Sequence, residues 1–281
     1  MRLAELIALS LEEDLGQGCL TTNATVPASA TGSAIFLAKQ DLVLCGHEPA
    51  AEVFRQLGAT YTPLVPDGAA VTPRTEVARV TGALRSLLTG ERLALNFLMR
   101  LSGIATHTRA TVAAAEGLRV VDTRKTTPLH RALERAAVRM GGAANHRFAL
   151  YDGVLIKDNH LRAAGGVTEA IRRARAAVHH LVKIEVEVSN TSELREALDA
   201  GAEVILLDNM DDARLAEAVA ITRAHPTGAG ALLEASGNMS AERLPRLVGL
   251  GLDLVSMGGL VHQARWVDLS MDIVGVDHGL E

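Results

Sequence analysis

The chain has 281 residues, 48% of them hydrophobic, 22% charged and only 2% aromatic, with a formal net charge of −5. That length makes one large domain or two around a sizeable core. The acidic balance excludes the basic face that non-specific nucleic-acid binding needs, and the scarcity of aromatics excludes a stacking platform for single strands. The two cysteines, Cys19 and Cys45, form neither a metal spacing nor a disulfide framework. No uncharged apolar run is long enough to span a membrane, and the acid-containing helical start is no signal peptide. The chain reads as cytoplasmic, with no nucleic-acid or membrane partner.

Residues 2–14 place Leu3, Leu6, Ile7, Leu9 and Leu11 along a helical stripe that Gly16 and Gly18 end. Residues 14–22 read as a turn entering irregular structure. A strand-like run covers 32–38, a helix covers 48–57, and 60–82 is a series of short β runs broken by Pro63, Pro66, Gly68 and Pro73. This part is expected to be an α+β sandwich. A long helical pattern follows over 84–101, with Gly90 expected to interrupt it.

A new rhythm then begins. Apolar runs at 119–123, 153–156, 182–188, 203–207, 230–233 and 253–257 alternate with helical patterns at 167–178, 191–200, 212–224 and 241–248. Such alternation means β-α units and a parallel sheet. Without a dinucleotide-type glycine signature after the first run, it favours a barrel, here an incomplete one of six strands. The expected organisation is an α/β chain: a sandwich at 1–106, a barrel at 107–266, and 267–281 returning to pack on the sandwich.

Chemistry in such barrels sits at the C-terminal ends of the strands. Those ends carry Arg124 and Lys125; Lys157 and Asp158; Glu187; Asp208 and Asn209; Glu234 and Ser236; Ser256 and Gly258. Any one of them alone is more often a solvated loop residue. As a set they segregate, cations on the first two strands and carboxylates on the third to fifth. Cations suit a carboxylate or phosphate group, and carboxylates suit ribose hydroxyls, magnesium or a developing cation. The turns at 234–238 and 256–260 carry glycine just after a strand, where backbone N–H groups cradle phosphate.

At these residues the chain resembles the quinolinate phosphoribosyltransferase family. The resemblance is carried by Asp122-Thr-Arg-Lys-Thr-Thr-Pro128, Asn145-His-Arg147, Tyr151-Asp-Gly-Val-Leu-Ile-Lys-Asp-Asn-His160 and Ile184-Glu-Val-Glu-Val188. Ile205-Leu-Leu-Asp-Asn209, Glu234-Ala-Ser-Gly237, Glu91-Arg92 and Ser102-Gly-Ile-Ala-Thr106 extend it. It implies an N-terminal sandwich with an incomplete six-stranded α/β barrel of the type II phosphoribosyltransferase kind, as a homodimer or higher oligomer. The reaction it implies joins quinolinate to phosphoribosyl pyrophosphate and releases pyrophosphate and carbon dioxide, in NAD biosynthesis.

By position, the resemblance puts Arg124, His146, Arg147 and Lys157 around the pyridine dicarboxylate, and Arg92 there from the partner subunit. Lys125 lies at the same site or towards the pyrophosphate. Glu187 and Asp208 take the ribose hydroxyls and Mg2+; Ser236, Gly237, Gly258, Gly259 and His262 surround the phosphate. Lys125, Lys157, Glu187 and Asp208 are the expected catalytic groups. The chain departs from the family at Leu129-His130, where Gly-Leu is common, and at Ala143 and Asn238, where glycines are common. Cys19 stands where an acid is common. Rival readings are a paralogue acting on another aromatic acid and, from another class, a Schiff-base aldolase barrel using Lys157 or Lys125.

Overall fold

A computed structural model describes residues 2–278, which fall into two compact units. The first gathers Met1–Arg109, Thr127–Gly142 and Gln263–Glu281; the second gathers Ala110–Thr126 and Ala143–His262. In chain order the first unit contributes strands β1 (Thr31–Ala38), β2 (Leu42–Val43), β3 (Thr60–Pro63), β4 (Ala70–Val71) and β5 (Glu76–Ala83). The second contributes β6 (Arg119–Val121), β7 (Val154–Ile156), β8 (Ile184–Val188), β9 (Val204–Asp208), β10 (Leu232–Ser236) and β11 (Leu254–Ser256). The chain then returns to the first unit with β12 (Leu269–Asp277).

In the first unit an antiparallel sheet runs in the order β12-β1-β5-β3, with β2 and β4 forming a small ladder of their own. Its core is largely aliphatic, with one aromatic cluster where Phe36 stands edge-on to both Phe54 and Tyr61 at centroid distances of 5.9 and 5.7 Å. The helix Leu84–Ala114 runs straight through Gly90, contrary to the expected break. A Cβ on Gly90 would lie 2.8 Å from Phe54 Cε1 and 2.9 Å from Leu57 Cδ1, so the glycine serves close helix packing. Gly103 acts the same way, since a Cβ there would collide with the Arg265 carbonyl oxygen. The neighbouring Ser102 Oγ accepts from the Cys45 amide at 2.9 Å, and Thr106 Oγ1 accepts from the Val43 amide at 2.8 Å. The expected irregular segment after Gly18 is instead a short helix, Leu20–Thr25, capped by Cys19 Sγ. Arg131–Met140, unread in the sequence, is also a helix.

In the second unit all six strands are parallel, in the order β6-β11-β10-β9-β8-β7. The first strand of the series therefore lies beside the last, and the ring stays open only between β6 and β7. This is the incomplete α/β barrel. Side chains alternate: Ile184, Val186, Val188, Ile205, Leu207, Leu233 and Ala235 are buried on one face. The other face carries Glu185, Glu187, Leu206, Asp208, Glu234 and Ser236. Helices begin where a side chain caps them, Asn190 accepting from the Glu193 amide at 3.0 Å and Asp211 from the Arg214 amide at 2.9 Å. β10 lies two residues later than expected, because Gly228–Gly230 forms a 3-10 turn. No helix among the described residues is long and apolar enough to cross a membrane.

Candidate active site

The strand register of the second unit sets out the polar rim. Ile156 pairs with Val186, so Lys157 leaves β7 beside Glu187, and Lys157 Nζ donates to Glu187 Oε2. Lys157 is thus paired with a carboxylate and not set in the apolar pocket that a Schiff-base lysine needs, which counts against the aldolase reading for it. Ser236 pairs with Asp208 across β10 and β9. Ala144 makes a parallel bridge to Val121, so Asn145, His146 and Arg147 emerge in the direction in which β6 ends.

Arg147 Nη1 donates to the Gly153 carbonyl at 2.8 Å. Burial, then the like charge of Arg124, pulls its pKa down, and Glu185 partly offsets them. Arg124 and Arg147 are therefore electrostatic neighbours, as two cations for one dianion would be. Arg124 and Lys125 are exposed; the Lys125 amide donates to Thr123 Oγ1 at 3.0 Å. A Cβ on Gly258 would lie 2.7 Å from Lys125 Cδ and 3.3 Å from both His262 Nε2 and Thr123 Oγ1. Lys125, His262 and the turn after β11 are thus one cluster, with Gly259 opening the short helix that carries His262.

A second cluster joins the ends of β9 and β10. The Asn209 amide donates to the Ser236 carbonyl at 2.9 Å, and Asn238 Nδ2 donates to Asn209 Oδ1 at 3.2 Å. Asn209 Nδ2 in turn donates to Asp208 Oδ2 at 2.8 Å, which orients that carboxylate. Gly237 has φ +85°, and a Cβ there would collide with Asn209 Oδ1. A cleft of about 510 Å³ is lined in part by these two asparagines; its Arg243 and Arg246 both bind Asp212. Glu187 and Asp208 lie on neighbouring strands as half-buried oxygen donors, the donor type that magnesium accepts alongside substrate phosphates.

Three buried acids complete this part of the site; the sequence reading gave Asp122 and Glu185 no role and counted Glu234 only among the strand-end carboxylates. Asp122, fully buried, accepts from Asn145 Nδ2 at 2.7 Å and from the His146 amide at 2.8 Å. His146 Nε2 lies 3.2 Å from Glu185 Oε2 and 3.5 Å from Glu234 Oε2. Burial pushes the imidazole pKa down, but the hydrogen bonds and charges of Glu185 and Glu234 outweigh it and hold the value up at about 10. Burial raises the Glu185 carboxyl despite His146. Inward-facing alternation on β8 and β10 was the available signal for both glutamates. Arg92 belongs to the other unit, where it is exposed.

The family description for the quinolinate phosphoribosyl transferase C-terminal domain matches residues 104–272, and that for the N-terminal domain matches 20–102. A relative from Synechocystis, called a probable carboxylating nicotinate-nucleotide pyrophosphorylase, is 44% identical over 94% of this chain and 90% of its own. The human carboxylating nicotinate-nucleotide pyrophosphorylase is 39% identical over 96% of this chain and 91% of its own. The crystal structure of NadC from Streptococcus pyogenes superposes with a TM-score of 0.91 at 38% identity, over 98% of this chain and 97% of that one. The chain belongs to the quinolinate phosphoribosyltransferase family.

Proposed function

We propose that the protein transfers phosphoribose from phosphoribosyl pyrophosphate to quinolinate, giving nicotinate mononucleotide, pyrophosphate and carbon dioxide in NAD biosynthesis. The observation that carries this reading is one strand-end rim with a cationic part around Arg124, Arg147 and Lys157 and a carboxylate part at Glu187 and Asp208, the two meeting at the Lys157–Glu187 pair. In this reading Arg124, His146, Arg147 and Lys157 bind the two carboxylates of the acid, and Arg supplies the bidentate fork. Ser236, Gly237, Gly258, Gly259 and His262 surround the phosphate, and Glu187 and Asp208 hold the ribose hydroxyls.

As pyrophosphate departs, its bond to the anomeric carbon breaks and oxocarbenium character builds there. Glu187 and Asp208 stabilise that charge while Lys125 neutralises the leaving oxygens. The pyridine nitrogen, held in line, forms the new bond to that carbon. The bond from ring carbon 2 to its carboxylate then breaks, its electrons pass into the pyridinium, and a proton from solvent takes the place of carbon dioxide. Glu187 and Asp208 would also hold Mg2+, which supplies charge neutralisation to the phosphates when bound. We further assign Arg92 to the acid site of the partner subunit in a cytoplasmic homodimer.

A coupled assay tests the reading. With phosphoribosyl pyrophosphate and quinolinate, pyrophosphate and carbon dioxide are expected in equal amounts, and nicotinate in place of quinolinate should release neither. Pyrophosphate release driven by nicotinate, or without carbon dioxide, would overturn it. Arg92→Ala and Lys157→Ala, each inactive alone, should regain activity on subunit exchange. No recovery after verified exchange refutes the donated arginine.

A further inference from the structure

Glu185 and Glu234 take no part in the chemistry above, yet both side chains are buried, 9% and 1% exposed, and aimed at one atom, Nε2 of His146. Removing carboxylates from water is costly unless a partner compensates. Each also keeps its second oxygen, Oε1, buried without a hydrogen-bond partner. Packing alone would be served by an aliphatic side chain, as at Leu206 on the intervening strand β9.

Facing two acceptors, Nε2 must carry a proton. The other ring nitrogen, Nδ1, lies 2.7 Å from the Arg147 amide, which calls for a lone pair there, whereas the two carboxylates favour the imidazolium. The two demands agree at Nε2, which carries a proton in either charge state, and differ at Nδ1, where only the neutral ring can accept from the Arg147 amide; the geometry thus selects the neutral Nε2–H tautomer as the one that holds Arg147. From the other side Asp122 fixes the His146 amide.

We propose that Glu185 and Glu234 are positioning residues for the acid-binding half of the site. Through Nε2–H they fix the His146 ring, the ring fixes the Arg147 amide, and the guanidinium is thereby set for a substrate carboxylate. The proposal rests on the reading of Arg147 as a quinolinate ligand. The groups that face this arrangement are Glu185 from β8, Glu234 from β10, Asp122 after β6, and Arg147 with its neighbour Arg124. The three donor atoms lie within 4.8 Å of one another, a spacing that a metal ion also accepts. Metal content therefore forms one arm of the test.

The experiment compares wild type, Glu234→Leu, Glu234→Gln and the isosteric double variant Glu185→Gln/Glu234→Gln. It reads both substrate KM values, kcat, bound metal, and the nitrogen-15 spectrum of the imidazoles. Glu234→Leu should raise the quinolinate KM about 10–100-fold, as loss of a histidine's outer partner does, with the phosphoribosyl pyrophosphate KM within about twofold. Glu234→Gln, which keeps a neutral acceptor, should recover most of that loss. If Glu234→Leu does not fold, the double variant carries the comparison, with its protected Nε2–H resonance weakened. The proposal is overturned if both KM values move together, if neither moves in a folded variant, or if wild type holds stoichiometric metal that the variants lose. Wild type inactive with quinolinate would instead sink the functional reading beneath it, while the Nε2–H resonance would still report the ring.

Discussion

Glu134 offers the sharpest test of the first unit's energetics. Its fully buried carboxylate accepts from Arg100 Nη2 at 3.0 Å, from the Thr127 amide at 2.8 Å and from Thr127 Oγ1 at 2.9 Å. Arg100 is itself only 18% exposed, so Glu134→Ala takes the carboxylate from a cation that water barely reaches. Breaking a buried pair from one side costs about 3–5 kcal/mol, and each neutral hydrogen bond adds about 1 kcal/mol. These contributions overlap, so about 4 kcal/mol is expected, a fall in melting temperature of about 8–16 °C. Glu134→Gln keeps the volume and one acceptor and should lose about 1–2 kcal/mol. Urea and thermal unfolding of the three proteins give the comparison. A loss under about 1 kcal/mol for Glu134→Ala would refute the reasoning, because Arg100 would keep carbonyl acceptors such as Ala264 but lose the carboxylate that balances its charge.

Three further outcomes are expected. Arg147→Lys keeps the charge but loses the fork, so the quinolinate KM should rise about tenfold while the phosphoribosyl pyrophosphate KM stays within about twofold; equal shifts would contradict the assignment. Gly237→Ala meets both a positive φ and Asn209 Oδ1, which costs about 1–3 kcal/mol in that turn. Phosphoribosyl pyrophosphate binding should weaken accordingly, and calorimetry showing unchanged affinity would rule out the phosphate turn. Burial pushes the Cys45 thiol up, whereas a hydrogen bond from Thr22 lowers that of the partly exposed Cys19. A disulfide reagent should thus label Cys19 quickly in the native protein and Cys45 only after denaturation; fast native labelling of both would count against the burial of Cys45.

The barrel was legible because short apolar or alternating runs recur between helical patterns, and those runs end in polar or charged residues. The same criterion misplaced β10. It stopped at Glu234, although the strand continues through that residue to Ser236. A carboxylate pointing into the ring looks, in sequence, like one pointing at solvent, which is why Glu185 went unassigned and Glu234 was read as a strand-end group and not as a buried one. The helix Arg131–Met140 was hidden in the same way, since its buried positions include Glu134 and Arg135. Two departures from the family pattern become intelligible only in the backbone. Leu129 and Asn238 both have positive φ, 67° and 50°, the region glycine adopts freely and asparagine tolerates. Leu129 is 68% exposed, so no packing constraint fixes its side chain.

The strand order also dictates a timetable. Beyond its single bridge to Ala144, β6 pairs with a strand only in β11, the last of the ring, and β1 gains one of its two neighbours only when β12 is made. During synthesis both sheets therefore wait with an open edge for a strand distant in sequence, the slow and association-prone kind of pairing. A ribosome pausing before β12 would hold a chain whose parallel ring can close up to its one gap while the β1 edge still exposes unpaired amides. Release of the chain through residue 277 is what removes that edge from competition with other nascent chains.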